Sequence, residues 1–131
     1  MEREELLALR RQAREQKRQI DERRLEVHRQ ILDLLFRGDE GSEQIRAEAL
    51  SQIELWEQNN LCIPRYSQTW REWLGLPEKF ARQAILRVDD LGISMRQNSP
   101  FSHAMARINS IAPVPDEENE QRDPYTDGGR S

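Results

Sequence analysis

The chain has 131 residues, of which 36% are hydrophobic and 34% are charged. This length allows one small domain with an appendage and excludes a two-domain enzyme of ordinary size. The single cysteine, Cys62, excludes an internal disulfide, and the two histidines, His28 and His103, are too few to predict a zinc site. No apolar run approaches the roughly 20 residues of a membrane span, and the N-terminus does not have a signal-peptide pattern. We therefore expect a cytoplasmic protein without membrane contact.

The charge is distributed unevenly along the chain, although the formal net charge is only −4. Residues 112–131 contain six acids and two arginines, so they carry −4, and the preceding 111 residues are neutral with 18 charges of each sign. Residues 10–29 hold eight bases and four acids, whereas residues 38–64 hold six acids and one base. These opposite stretches favour pairing with each other, within a chain or between two chains, over a nucleic-acid surface.

The first predicted element is a long helix over residues 1–37, because residues 2–37 contain no glycine or proline and consist mostly of strong helix formers. Apolar residues recur at seven-residue spacing, as in a coiled coil. We expect this stripe to bind a partner or a second copy, and the alternative is a solvated helix held by charge pairs. The dense apolar segment 31–36 predicts anchoring at the C-terminal end, with the N-terminal half projecting or pairing weakly. The stripe consists of Leu6, Ala13, Ile20, Val27 and Leu34.

Residues 38–111 predict a compact bundle of three or four short helices. Gly38 and Gly41 end the first helix, Ser42 is a favourable N-cap for a second helix, and Asn60 is a favourable stop. A third helix follows over 65–74 and a fourth over 77–88, joined at Gly75. Ser99 and the following proline predict the start of a last short helix.

Two segments of the sequence, residues 91–101 and residues 112–131, do not have a helical pattern. Residues 91–101 are polar between apolar neighbours, and their Arg96, Gln97 and Asn98 either satisfy buried carbonyls and helix ends or contact a partner. Residues 112–131 alternate prolines and glycines with acids, which predicts a disordered acidic tail. The fold class is therefore all-α: a long coiled-coil-like helix, a compact helical domain and a disordered tail.

The sequence contains no glycine-rich phosphate loop, no paired histidines on a helix and no nucleophile motif. We therefore predict a non-enzymatic protein with no cofactor, no metal and no small-molecule substrate. The seven-residue stripe favours a regulatory or interaction protein that self-associates, as a homodimer, or binds a protein partner through its first helix.

The alternative function is a dimeric DNA-binding regulator. Two short helices joined at Gly75 match the outline of a helix-turn-helix, with the second helix free to enter a major groove. Against it, Arg71 is bulky where the two helices approach each other, and Pro77 is an unusual start for a reading helix. By analogy alone, this size and layout also fit an antitoxin or a mobile-element accessory protein. The predicted DNA contacts are Lys79, Arg82, Gln83 and Arg87, with Glu78 beside them.

Overall fold

The computed structural model describes residues 2–111, apart from the side chain of Ile111, and in this range all regular structure is helical. The all-α prediction is confirmed, including the long N-terminal helix. The predicted tail at 112–131 lies outside the described residues. The helices are α1 (Arg3–Leu35), α2 (Glu40–Asn59), α3 (Pro64–Leu74), α4 (Glu78–Ile85), α5 (Asp90–Gln97) and α6 (Ser102–Ile111).

Helix α1 is continuous but lies in two different environments. Its C-terminal part contributes one buried face to the core, at Val27, Ile31, Leu32 and Leu35. This face packs against α2, α4, α5 and α6. Every residue from 2 to 20 is exposed. The end of α1 and the five later helices therefore share one core, from which the first half of α1 projects.

The centre of the core is Trp70 on α3, which is fully buried. Its ring makes edge-to-face contacts with Trp73, at 5.4 Å between ring centroids, and with Phe101, at 5.7 Å. Its indole N–H donates a hydrogen bond to the Asn98 carbonyl, at 3.0 Å. Trp70 thus joins α3 to the segment between α5 and α6, with its one polar atom satisfied.

Helix α2 begins earlier than predicted, because Asp39 is its N-cap and Ser42 is the third helical residue. The Asp39 carboxylate accepts a hydrogen bond from the Ser42 backbone N–H, at 3.0 Å, and the two residues form a capping box. The Ser42 hydroxyl is buried and donates to the Leu34 carbonyl of α1, at 2.6 Å. The helix ends as predicted at Asn60, which has a left-handed conformation with φ 52°.

Helix α5 was not predicted, and with it five helices follow α1 in the structure. Gly92 and Ser94 lower its helix propensity, so its sequence resembles a loop. Tertiary contacts compensate: a Cβ atom at position 92 would lie 2.1 Å from the Arg87 carbonyl oxygen, so only glycine allows this approach. Asp89 caps the helix by accepting from the Gly92 N–H, at 3.0 Å. Helix α4 is correspondingly shorter than the predicted segment 77–88.

Candidate functional site

The largest unpartnered feature in the described range is the first half of α1, residues 2–20, which we call the arm. At 1.5 Å per residue it is about 28 Å long. It begins with a capping box in which the Glu2 N–H donates to the Glu5 carboxylate, at 3.3 Å. Its apolar side chains are partly open to water: Leu6 is 40% exposed, Leu9 49% and Ile20 36%.

The structure divides the predicted seven-residue stripe into two parts. Leu6, Ala13 and Ile20 lie on the exposed arm. Val27 is only 2% exposed, and half-buried Leu34 packs against the core. These last two residues already have partners within their own chain, so a second protein can meet the stripe only along the arm.

The charged residues of the arm pair with each other along the helix. Arg18 donates to Glu15 and also to Glu22, the latter at 2.5 Å, and Lys17 lies 3.8 Å from Asp21. The hydrogen bond from Arg18 lowers the pKa of Glu15. Pairs at three- and four-residue spacing stabilise a helix by about 0.2–0.5 kcal/mol each. They therefore help to keep the arm helical although no tertiary contact covers it.

The acidic stretch on α2 pairs with other helices instead of the basic part of α1. Glu57 accepts two hydrogen bonds from Arg71 of α3, at 2.7 and 3.0 Å. Glu48 accepts two from Arg107 of α6, at 3.0 and 3.2 Å. These hydrogen bonds lower the pKa of both carboxyl groups. For these two acids, the predicted pairing with residues 10–29 within the chain is not what the structure contains.

The two arginines predicted to contact DNA lie beside carboxylates. Arg82 is 3.0 Å from Asp33 of α1 and 2.9 Å from Glu78. Arg87 hydrogen-bonds Asp89 at 2.9 Å, and this contact, with the Gly92 N–H, lowers the pKa of Asp89 to about 2. A phosphate or a base would compete with these carboxylates for both guanidinium groups.

The other two predicted DNA contacts are exposed on α4. The Lys79 ammonium lies 5.9 Å from the centre of the Phe80 ring, and Gln83 faces solvent. Helix α4 has eight residues, so its length is only about 12 Å. Arg71 does not crowd the two helices, since its guanidinium is turned to Glu57 on α2. The helix pair α3–α4 is therefore short, and carboxylates lie among its basic side chains.

His28 is a buried polar residue whose role the sequence did not reveal. Its Nδ1–H donates to the Arg24 carbonyl, at 2.7 Å, which leaves Nε2 to accept from the Ser99 hydroxyl, at 2.9 Å. The Ser99 hydroxyl oxygen in turn accepts from the Phe101 N–H, at 3.1 Å. Burial lowers the pKa of His28 to about 4. The neutral imidazole therefore links α1 to the segment that precedes α6.

Arg96 is buried as well, and it hydrogen-bonds backbone carbonyls. One guanidinium nitrogen donates to the carbonyls of Ile85, the last residue of α4, and of Arg87, both at 2.7 Å. Asn98 donates to the Ser94 carbonyl, at 2.9 Å. Two interpretations of segment 91–101 were open. These contacts match the first, in which its polar side chains hydrogen-bond buried carbonyls and helix ends. Burial lowers the pKa of Arg96.

Residues 2–111 contain no group of three or more His, Cys, Asp or Glu side chains placed to hold a metal ion. An open groove between α2 and α6 has Glu48, Ser51 and His103 in its wall, without a nucleophile and base in hydrogen-bond contact. None of the helices in this range is long and apolar enough to cross a membrane. Comparison of the chain with protein-family models, with curated proteins and with solved structures finds no match.

Proposed function

We propose that this chain is a non-enzymatic interaction protein whose arm binds a helix of another chain, in the first instance the arm of a second copy. The observation that carries the proposal is the contrast within α1. Residues 2–20 are all exposed, whereas Val27, Ile31, Leu32 and Leu35 of the same helix are buried. An amphipathic helix without a partner along half its length is suited to pairing with another helix.

The apolar content of the arm supports weak, reversible pairing. Leu6, Leu9 and Ile20 are 36–49% exposed, so each contributes on the order of 1 kcal/mol when covered. Ala13, midway between Leu6 and Ile20, is small enough to let two helix axes approach closely. Loss of translational and rotational freedom offsets a large part of this gain. We therefore expect self-association that depends strongly on protein concentration.

Sedimentation velocity over a wide range of concentration tests this proposal. Leu9→Arg puts a charge on the arm at a residue 49% exposed, and Leu55→Arg is the matched control on α2 at a residue 46% exposed. We expect the wild type and the control to pass from monomer to dimer as concentration rises, and Leu9→Arg to remain monomeric. Dimers that survive Leu9→Arg and disappear with Leu55→Arg would place the interface on the bundle and contradict the proposal.

If the wild type is monomeric, the remaining form of the proposal is that the arm binds a helix of a different protein. Tagged wild-type and Leu9→Arg proteins then serve as baits in the native host. A protein retained by the wild type and lost with Leu9→Arg supports arm binding, and equal retention by both refutes it.

DNA binding by α4 has less support from the geometry, because Arg82 and Arg87 are already paired with acids. Labelled duplex DNA is nevertheless the direct probe of this alternative. Binding that falls steeply with salt and is lost in the variant Arg82→Glu, Arg87→Glu would favour the DNA-binding regulator. Equal, negligible binding by wild type and variant would remove it.

A further inference from the structure

Helix α6 runs antiparallel to the end of α1 and leads the chain toward the arm. Near the start of α6, the Ser99 hydroxyl bonds His28 of α1, at 2.9 Å. Near its end, the Asn109 side chain accepts from Arg23 of α1, at 3.1 Å. Advancing along α6 therefore corresponds to moving back along α1, so the chain leaves α6 at Ile111 close to the base of the arm.

Residues 10–20 of the arm and the segment that follows Ile111 carry net charges of opposite sign and equal size. Residues 10–20 of the arm contain five bases and one acid, a net charge of +4. At 100° per residue the five bases fall within about 120° of the helix surface, beside the apolar stripe. Residues 112–131 contain six acids and two arginines, a net charge of −4. The bases of this surface, which we call the basic face, are Arg10, Arg11, Arg14, Lys17 and Arg18, of which the last two also pair with acids of α1.

The acids are also close enough in sequence to reach the basic face. The first of them, Asp116, follows Ile111 by five residues, a stretch that spans at most about 17 Å. Along the helix, Arg14 lies about 14 Å from Arg23, the residue that contacts the end of α6. Three further acids follow within four residues: Glu117, Glu118 and Glu120.

We propose that the acidic segment 112–131 docks on the basic face of the arm in its own chain. Individual ion pairs on an exposed helix are weak and screened by salt. Attachment at Ile111 gives the acids a high local concentration, so several weak pairs suffice for partial occupancy. Because the basic face borders Leu6, Leu9 and Ala13, the docked segment competes with any helix that approaches the arm.

The test is NMR spectroscopy of the 15N-labelled full chain, at a concentration where sedimentation shows a monomer. The variant neutralises four acids of the segment: Asp116→Asn, Glu117→Gln, Glu118→Gln and Glu120→Gln. A control with the same change of charge neutralises four exposed acids of the bundle: Glu40→Gln, Glu43→Gln, Glu54→Gln and Glu72→Gln.

At low salt we expect the signals of residues 10–18 to differ between the wild type and the neutralised segment, and the difference to vanish at high salt. The bundle control keeps the wild-type arm signals. Identical arm signals in the wild type and the segment variant would overturn the proposal, as would shifts confined to the bundle. Shifts that grow with protein concentration would assign the contact to the tail of another copy and would also overturn it.

A consequence for self-association rests in addition on the proposed function. If each acidic segment covers its arm half of the time, two arms must be uncovered for each dimer, so the apparent Kd rises about fourfold. Neutralising the segment should lower the dimer Kd by that factor. Because the NMR comparison is made on monomers, docking can fail while dimerisation stands, and the reverse outcome is equally visible.

Discussion

The two halves of α1 have the same backbone conformation and different relations to the rest of the molecule. Over Val27–Leu35 the apolar residues are dense enough to form a face that packs against α2, α4, α5 and α6. Over residues 2–20 the apolar residues are sparser and every residue remains exposed. The comparison shows that a seven-residue stripe predicts which face of a helix is apolar, without predicting which chain covers it.

The largest expected effect comes from making the same substitution, isoleucine to alanine, in each half of α1. Ile31→Ala removes a fully buried side chain, so we expect the free energy of unfolding to fall by about 3 kcal/mol. Ile20→Ala removes a side chain that is 36% exposed and outside the core, and we expect less than about 0.5 kcal/mol. Urea denaturation of both variants at a monomeric concentration measures the two values. Similar losses in the two variants would mean that the arm is part of the cooperative unit.

The second test uses pH to probe a buried histidine of the bundle. Burial lowers the pKa of His28 from 6.5 to about 4. Between these two pH values the histidine is protonated in the unfolded chain and neutral in the folded chain. The free energy of unfolding should therefore fall as the pH is lowered from 6.5 to about 4, by about 3 kcal/mol in all. Urea denaturation at a series of pH values gives this slope.

Two variants separate His28 from other titrating groups. His28→Gln removes the buried imidazole and should flatten the slope between pH 6.5 and 4, at some cost in stability at neutral pH. His103→Gln changes an exposed histidine and should keep the slope. A wild-type slope that persists in His28→Gln would assign the pH dependence elsewhere.

The smallest expected effect concerns the arm alone. Arg18→Gln removes the cation that Glu15 and Glu22 share, so the arm loses two ion pairs that stabilise its helix. Circular dichroism at low salt should show slightly less helix, while the denaturation midpoint of the bundle stays unchanged. High salt screens the same pairs, so the difference between wild type and variant should disappear there. A shifted midpoint would show that arm and bundle are energetically coupled.

Local sequence signals predicted much of the fold correctly. The run without glycine or proline predicted α1, Asn60 predicted the end of α2, and Pro64 and Gly75 bracket α3. These signals act through the backbone of a few neighbouring residues, so they can be read without knowledge of the tertiary structure. Helix α5 was missed for the opposite reason, since Gly92 is required by the Arg87 backbone and not by its own neighbours.

The candidate site was predicted only in part. Leu6, Ala13 and Ile20 are exposed and remain candidates for partner contact, whereas Val27 is buried in the core. The seven-residue spacing is the same on both sides of Ile20, so the stripe by itself does not distinguish them, and only the apolar density of residues 31–36 indicated which end is anchored. Likewise, the sequence offered Arg82 as a DNA contact because its partner Asp33 is brought to it only by folding, whereas Arg87 pairs with Asp89, two residues away.

The sequence alone determined the helical class, the length of α1 and the separation of charge between residues 10–29 and the C-terminal segment. These properties follow from composition, periodicity and residues that start or stop helices, all of which act over a few positions. Only the tertiary structure decided that the core also includes Val27 of the predicted stripe, that His28 is neutral between Arg24 and Ser99, and that α6 ends near the base of the arm. Those outcomes depend on contacts between residues as many as 86 positions apart, which no local pattern encodes.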